Sequence, residues 1–201
     1  MTRIVVPFRG AGAKLRLAPL GERERAALAL AMLGDVLAAC VVVGSATVVT
    51  DDAAAAGLAA GLGASTAEDP GTGQGAAVAS ALRGLEPGPI LVVNADVPCV
   101  VPRDLRSLQR ATPAGGLAYV PAADGTTNAL GLPAADLFAP LYGPGSAARF
   151  RARADELGVT ALAVAIPNLV DDVDTADDLR RLGLRVGPRT QAAIASLGLA
   201  A

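Results

Sequence analysis

Short apolar runs alternate with longer amphipathic stretches along most of the chain, and this pattern predicts an α/β fold. Residues 90–93 (Ile-Leu-Val-Val) form an unbroken apolar run that ends just before Asn94 and Asp96. Apolar runs without polar alternation are typical of strands covered on both faces, as in a parallel sheet. Comparable runs predict further strands at residues 4–6, at 41–43 with 47–49, and at 161–166.

The stretches between these runs carry the spacing and the capping residues of helices. Residues 22–39 place charges early and Ala and Leu at helical spacing later. An Ala-rich segment follows Asp51 and Asp52, and either aspartate is a good N-cap. Thr175 to Asp178 resembles a capping box. Further helices are predicted at residues 76–85, from Pro102 onwards, at 147–157 behind Ser146 as N-cap, and near the end of the chain.

The composition fits one domain over residues 1–201 with a core of small side chains, because 52% of the residues are hydrophobic and only 2% are aromatic. No apolar run approaches the roughly 20 residues that cross a bilayer, and the N-terminus does not read as a signal peptide. Cys40 and Cys99 lack the spacing of metal ligands and fit a reducing compartment. We therefore expect a cytoplasmic protein without a membrane partner.

The net charge and the residue types present exclude some partners and some catalytic mechanisms. The net charge is -2, and no basic run is interleaved with aromatic residues, so we expect no nucleic-acid partner. The chain contains no histidine. Mechanisms that need a histidine base, nucleophile or metal ligand are therefore excluded, and carboxylates, hydroxyls and cations remain.

Three aspartates are candidates for a metal site. Asp96 lies just past the carboxyl end of the central predicted strand, where open α/β sheets bind their ligands. An acid there commonly holds a divalent metal against the phosphates of a nucleotide; the alternative is a cap of the turn before Pro98. Asp172 and Asp174 are two residues apart, so in extended chain they face the same way. Both precede the capping box and are available for a metal.

Two glycine-containing loops are candidates for nucleotide contacts. In the first, Gly10 allows close approach of a ligand and Arg9, Lys14 and Arg16 supply the charge that a triphosphate needs. The P-loop pattern is absent, and an exposed basic loop is the alternative. In the second, residues 68–75 form a Gly-rich turn before a helix, a weaker signal that suits a base or ribose near Gly73 and Gln74.

Two further polar segments are candidates for holding an acceptor. The turn at residues 124–130 carries Thr126 and Thr127, whose hydroxyls suit a carboxylate or phosphate; a simple hairpin turn has similar weight. Ser146 follows Gly143 at the predicted start of a helix, and helix N-termini bind anions. Positive charge follows on this helix at Arg149, Arg151 and Arg153, although two of these can simply be solvated.

Five motifs occur in a fixed order over about residues 3 to 182. Together they resemble the phosphoenolpyruvate/2-phospho-L-lactate guanylyltransferases, which act in the biosynthesis of the deazaflavin coenzyme F-420. More broadly, the chain resembles nucleotidyltransferases of the nucleotide-diphospho-sugar transferase type. That resemblance implies a three-layer α/β/α domain with a Rossmann-like, mostly parallel sheet. The motifs are residues 6–17 (VPFRGAGAKLRL), 94–98 (NADVP), 124–130 (DGTTNAL), 143–146 (GPGS) and 172–175 (DVDT).

The resemblance implies that GTP condenses with a small phosphorylated three-carbon acid and that pyrophosphate leaves. Phosphoenolpyruvate, which would give enolpyruvoyl-2-diphospho-5'-guanosine, is favoured over 2-phospho-L-lactate only because the composition suggests a GC-rich source. The implied roles are as follows: Asp96, Asp172 and Asp174 hold Mg²⁺, with Asp96 and Lys14 catalytic; Arg9, Gly10, Lys14 and Arg16 face the triphosphate; Gly73 and Gln74 meet guanosine; Thr127, Gly143 and Ser146 hold the acceptor.

Some choices stay open at this level. The sequence does not decide between Thr126 and Thr127, and Leu15 stands where the family commonly has a serine. The guanine-specifying residues stay unassigned, and a homodimer is possible. A nucleotidyltransferase for molybdopterin or a sugar phosphate would carry a similar loop and metal site. A GTP-binding regulator that does no chemistry is the alternative of another class, against which the three carboxylates argue.

Overall fold

The structure is a computed structural model that describes residues 1–10, 17, 20–84 and 87–199. It contains seven strands, which form one sheet. The strands are β1 (Arg3–Pro7), β2 (Ser45–Val49), β3 (Ser65–Ala67), β4 (Ile90–Val93), β5 (Gly116–Pro121), β6 (Thr127–Leu132) and β7 (Thr160–Ala163).

Helices fill most of the connections between the strands. Within the described residues none of them is long and apolar enough to cross a bilayer. They are α1 (Glu22–Val41), α2 (Ala53–Gly61), α3 (Gln74–Leu82), α4 (Pro102–Ala111), α5 (Ser146–Leu157), α6 (Pro167–Val170), α7 (Ala176–Leu182) and α8 (Pro188–Ser196).

The sheet has the order β3-β2-β1-β4-β6-β5-β7, and β6 alone among the described strands runs against the others. The predicted mostly parallel sheet is therefore confirmed. The reversal of β6 follows from the short connection to β5, since a few residues can join only antiparallel neighbours. The chain winds outward in both directions from β1 and β4. Their carboxyl ends thus border a topological switch point, where such sheets bind ligands.

Burial on both faces explains why β4 lacks polar alternation. Leu91 and Val93 pack on one side with Val36 and Leu37 of α1, while Ile90 and Val92 pack on the other side. The second side includes Val78 of α3 and Phe150 of α5. The central strand therefore has helices on both faces, and the three-layer arrangement that the resemblance implies is present.

Three predicted boundaries are wrong. The proposed strand at residues 41–43 is instead the end of α1 and a tight turn, in which Val43 N–H donates to Cys40 C=O at 2.9 Å. Packing of the last turn of α1 against the sheet outweighs the strand propensity of three valines. The strand predicted at 161–166 is β7, which ends at Ala163; Pro167 then begins α6, a position that its fixed φ favours. The helix predicted at 76–85 begins at Gln74 and ends at Leu82.

The helix N-caps and the C-terminal helix follow the sequence more closely. Asp52 caps α2, and its Oδ1 accepts from the Ala54 and Ala55 N–H groups at 2.8 and 3.2 Å. The predicted terminal helix is α8, which packs against α1. Buried Asp35 of α1 joins the two helices, because its carboxylate accepts from the N–H groups of Arg189 (3.1 Å) and Thr190 (2.8 Å).

We expect Asp35→Ala to lower the free energy of unfolding by about 1–3 kcal/mol, because two N–H groups at the start of α8 lose their acceptor in a buried place. Asp35→Asn keeps one acceptor oxygen and should lose less. Urea denaturation of both variants and the parent measures the effect. The exposed Asp136→Asn serves as the control. An Asp35→Ala midpoint equal to the parent's would show that the carboxylate does not hold α8.

Candidate active site

The three aspartates singled out in the sequence come together at the carboxyl end of β4. Asp96, Asp172 and Asp174 each place one carboxylate oxygen within 4.8 Å of the others, and all three are half-buried. A backbone hydrogen bond joins the two segments that carry them, from Val173 N–H to Asp96 C=O at 2.9 Å. Residues 76 positions apart in the chain are thus held beside each other.

The donor set of this cluster fits a divalent cation. Mg²⁺ prefers hard oxygen ligands, and it is commonly held by one or two carboxylates together with substrate phosphates. Three carboxylates in a half-buried place repel each other unless a cation or hydrogen-bond donors compensate. The residues present therefore fit the predicted Mg²⁺, although its binding stays a prediction.

The segment that carries Asp172 and Asp174 is fixed at both ends. Before it, Asp171 accepts from the guanidinium groups of Arg181 and Arg185. Behind it, the predicted capping box is confirmed: Thr175 N–H donates to Asp178 Oδ2 at 2.8 Å, and Asp178 N–H donates to Thr175 Oγ1 at 3.2 Å.

Burial alone would raise the pKa of Asp178, but hydrogen bonds from Thr175 and Arg181 outweigh it and hold this pKa below its usual value. Asp178 is thus an ionised cap at neutral pH.

A cavity of about 130 Å³ opens beside Asp96. Arg9 lies on its rim, with Nε 3.7 Å from Oδ2 of the buried Asp69. The predicted triphosphate residues Lys14 and Arg16 lie outside the described residues. The lining residues come from β1 and the loop behind it, from α1, from the start of α3 and from the end of β4: Pro7, Phe8, Arg9, Gly10, Ala29, Met32, Gln74, Asn94, Ala95 and Asp96.

The Gly-rich turn approaches the cavity from the α3 side. Gly73 has φ +121°, a conformation that favours glycine, and it immediately precedes α3. Gln74 lines the cavity, but its side-chain Nε2 donates to Asn94 Oδ1 at 2.7 Å. The amide predicted to meet guanosine is therefore engaged with the end of β4.

On the acceptor side, the structure joins Thr127 to Ser146. Both are buried, and Ser146 Oγ donates to Thr127 Oγ1 at 3.2 Å. Thr127 begins β6, and its carbonyl accepts from Asn94 Nδ2 at 3.2 Å, so this pair lies beside the end of β4. The hydroxyl of Thr126 instead donates to Asp124 Oδ1 at 2.7 Å. Residues 122–126 form the hairpin turn between β5 and β6, and Thr127 is the threonine that meets Ser146.

The role predicted for Ser146 as an N-cap is wrong. Gly145 caps α5 with φ +71°, which glycine adopts without strain, and Ser146 is the first helical residue. The N–H groups at this end are also partly engaged: Ser146 N–H donates to Gly143 C=O at 3.0 Å, and Ala147 N–H donates to Gly125 C=O at 3.2 Å. The helix start is thus tied to the hairpin turn, and two of its N–H groups already have protein acceptors.

The three arginines of α5 have different surroundings. Arg149 binds the turn before the helix, because its guanidinium donates to the carbonyls of Leu141, Tyr142 and Pro144. Arg153 pairs with Glu156 at 3.0 Å, and Arg151 is exposed. Arg149 therefore fixes the shape of the turn that contains Gly143.

The thiols have no place in the chemistry. Burial raises the pKa of Cys40 to about 12 and also raises that of Cys99, where charges of Arg185 and Asp171 act in opposite directions. Both cysteines are buried and unpaired. Neither is therefore an ionised nucleophile at neutral pH.

Comparison with known proteins gives a consistent picture. The family described as "Guanylyl transferase CofC like" matches residues 2–196. The phosphoenolpyruvate guanylyltransferase of Streptomyces scabiei is 40% identical over an alignment of 211 positions that covers 96% of each chain. That of Roseiflexus castenholzii is 41% identical and covers 87% of this chain and 84% of its own. A solved structure from Desulfovibrio desulfuricans G20, assigned to the nucleotide-diphospho-sugar transferases, has a TM-score of 0.79 at 17% identity and covers 98% of this chain and 96% of that one.

Proposed function

This chain belongs to the CofC-like guanylyl transferase family, and on that premise we propose that it condenses GTP with phosphoenolpyruvate. The products are enolpyruvoyl-2-diphospho-5'-guanosine and pyrophosphate, which places the reaction in coenzyme F-420 biosynthesis. Curated relatives at about 40% identity carry the name phosphoenolpyruvate guanylyltransferase, which supports this acceptor. The single observation that carries the proposal is the convergence of Asp96, Asp172 and Asp174 beside the cavity at the end of β4.

In this reaction a phosphate oxygen of the acid attacks the α-phosphorus of GTP. The bond from the α-phosphorus to the bridging oxygen breaks, and that oxygen leaves with pyrophosphate. The attacking phosphate is already an anion, so no strong general base is needed, and a chain without histidine can supply the site. The main barrier is the repulsion between two anions, which the site has to offset while it aligns them.

Three parts of the site would share the task of neutralising and aligning the two anions. Asp96, Asp172 and Asp174 would hold Mg²⁺, which when bound neutralises phosphate charge and orients the reacting oxygens. Arg9, on the rim of the cavity, would face the triphosphate, and Lys14 and Arg16 are proposed for the same role from the sequence alone. The cavity itself would receive the nucleoside between the loop after β1 and the start of α3.

The acceptor would lie on the other side of Asp96, next to the turn that contains Gly143. Ser146 and Thr127 hold this turn against β6, and Arg149 holds it from the helix side. An acid placed there has its phosphate close to the end of β4, where the aspartates lie. Preorganisation of this turn lowers the cost of binding a small, highly charged acceptor.

Mass spectrometry of the product from GTP, Mg²⁺ and each acceptor in turn tests this proposal. We expect a guanylylated product and pyrophosphate with phosphoenolpyruvate. The other reactions use 2-phospho-L-lactate, a sugar phosphate or molybdopterin as acceptor. A product with 2-phospho-L-lactate alone would correct the acceptor. Transfer to a sugar phosphate or to molybdopterin, with neither acid used, would overturn the proposed function.

A further inference from the structure

Three side-chain amides form a continuous hydrogen-bonded chain behind the aspartate cluster. Gln74 Nε2 donates to Asn94 Oδ1 (2.7 Å), Asn94 Nδ2 donates to Asn128 Oδ1 (3.4 Å), and Asn128 Nδ2 donates to the Val170 carbonyl (3.0 Å). We call these three side chains the amide chain. Asn128 is completely buried, and Gln74 and Asn94 are half-buried.

The amide chain connects four of the segments that form the proposed site. Gln74 begins α3 behind the Gly-rich turn, and Asn94 lies two residues before Asp96. Asn128 follows Thr127 on β6, and Val170 ends α6 two residues before Asp172. The nucleotide side, both metal-binding segments and the acceptor side therefore share one line of hydrogen bonds.

The two asparagine positions need side chains that both accept and donate. Each has to accept from one neighbour and donate to the next, and a carboxylate donates nothing whereas an ammonium accepts nothing. The side-chain Nδ2 of Asn94 also donates to the Thr127 carbonyl at 3.2 Å. The backbone N–H of Asn94 donates to the Asn128 carbonyl at 2.9 Å. Asn128 is the most constrained of the three, because it is completely buried and any displacement would leave its amide without a partner in a place that water does not reach.

We propose that Asn94 and Asn128 are positioning residues that set the distance between Asp96 and the Asp172–Asp174 pair. This inference rests on the metal role in the proposed function. No role for either asparagine is predicted from the sequence alone. Asn128 acts through the Val170 carbonyl and so fixes the approach of the segment that carries Asp172 and Asp174. Asn94 fixes the end of β4 from which Asp96 projects. Partners of this kind, behind the metal ligands, typically change metal affinity by about 10–100-fold when they are lost.

The test uses Mn²⁺ as a probe for the metal site, titrated by the electron paramagnetic resonance signal of unbound Mn²⁺ without nucleotide or acceptor. Asn128→Leu and Asn94→Leu keep most of the side-chain volume and remove the amide. We expect both to weaken Mn²⁺ binding by about 10–100-fold. The Mg²⁺ concentration for half-maximal turnover should rise in the same proportion.

Thr112→Val is the matched control. The Thr112 hydroxyl is partly buried, donates to the Leu108 carbonyl at 2.9 Å and lies against Gly131 at the far end of β6. Its loss perturbs the same strand without touching the amide chain, so Mn²⁺ affinity should equal that of the parent. Thermal unfolding of every variant fixes a titration temperature at which all are folded.

A folded Asn128→Leu that binds Mn²⁺ within about twofold of the parent would overturn the positioning role, since loss of outer partners costs more than that. A merely structural role would lower the melting temperature and leave the affinity unchanged. The outcome is separable from the proposed function: a parent that binds Mn²⁺ but guanylylates no acid overturns only the function, because the titration uses no substrate.

Discussion

Asp96→Asn is expected to lower kcat for guanylyl transfer by about a thousandfold, which corresponds to about 4 kcal/mol of transition-state stabilisation. The substitution keeps the shape of the side chain and removes one of three converging negative charges. The Mg²⁺ proposed to neutralise the phosphates in the transition state would then be held less tightly. GTP should still bind, because the cavity beside β4 is formed mostly by other side chains. Pyrophosphate release under saturating substrates measures the loss.

The control for this variant is Asp155→Asn, which removes an exposed carboxylate from the last turn of α5. It should have the kcat of the parent. Equilibrium binding of GTP to Asp96→Asn separates a catalytic defect from a failure to fold. Retained turnover in Asp96→Asn would contradict the role of this residue. An inactive parent that binds GTP tightly would instead favour a non-catalytic regulator.

Thr127→Val is expected to raise KM for the acceptor acid by about 10–30-fold with little effect on KM for GTP. Valine matches the shape of threonine in this buried position, so the packing is kept. The lost hydroxyl is the acceptor of the Ser146 hydrogen bond, which holds the turn of Gly143 against β6. A 10–30-fold change corresponds to about 1.4–2 kcal/mol, which is at the lower end of what a hydrogen bond to a charged group contributes.

Thr126→Val is the matched control, because the neighbouring hydroxyl donates to Asp124 inside the hairpin turn. The KM of Thr126→Val for the acceptor should change by less than about twofold, because this hydroxyl binds Asp124 and not Ser146. Steady-state kinetics with phosphoenolpyruvate varied at saturating GTP compares the two. Equal KM values for the parent and Thr127→Val would remove Thr127 from the acceptor side, and a larger effect at Thr126 would reverse the assignment.

A strand could be predicted where its burial shows in its own sequence as an apolar run. The run at residues 90–93 identified the central strand because both of its faces are covered. The three valines at 41–43 misled, since nothing local shows that α1 continues until it has packed against the sheet. Pro167 does carry a local signal, the preference of proline for the first turn of a helix, and it marks where the last strand had to end.

Site residues could be predicted where the side chain is itself a metal ligand and the sequence pattern shows which loop carries it. Asp96 could be identified because it follows the central strand, and Asp172 and Asp174 because they are two residues apart and precede a capping box. Asn94 and Asn128 could not, since their significance lies in hydrogen bonds between segments up to 42 residues apart. Their one local signal is an amide at one end of an apolar run. The predictions of a homodimer, of Lys14 and of Arg16 stay predictions.

We propose that three distant carboxylates hold one divalent cation at the point of guanylyl transfer. Anomalous diffraction from crystals grown with Mn²⁺ and GTP is the decisive experiment. We expect a manganese peak with oxygens of Asp96, Asp172 and Asp174 at about 2.0–2.3 Å and with phosphate oxygens completing the coordination. A peak bound only by the triphosphate, with Asp172 and Asp174 turned away from it, would show that the aspartates do not form the metal site.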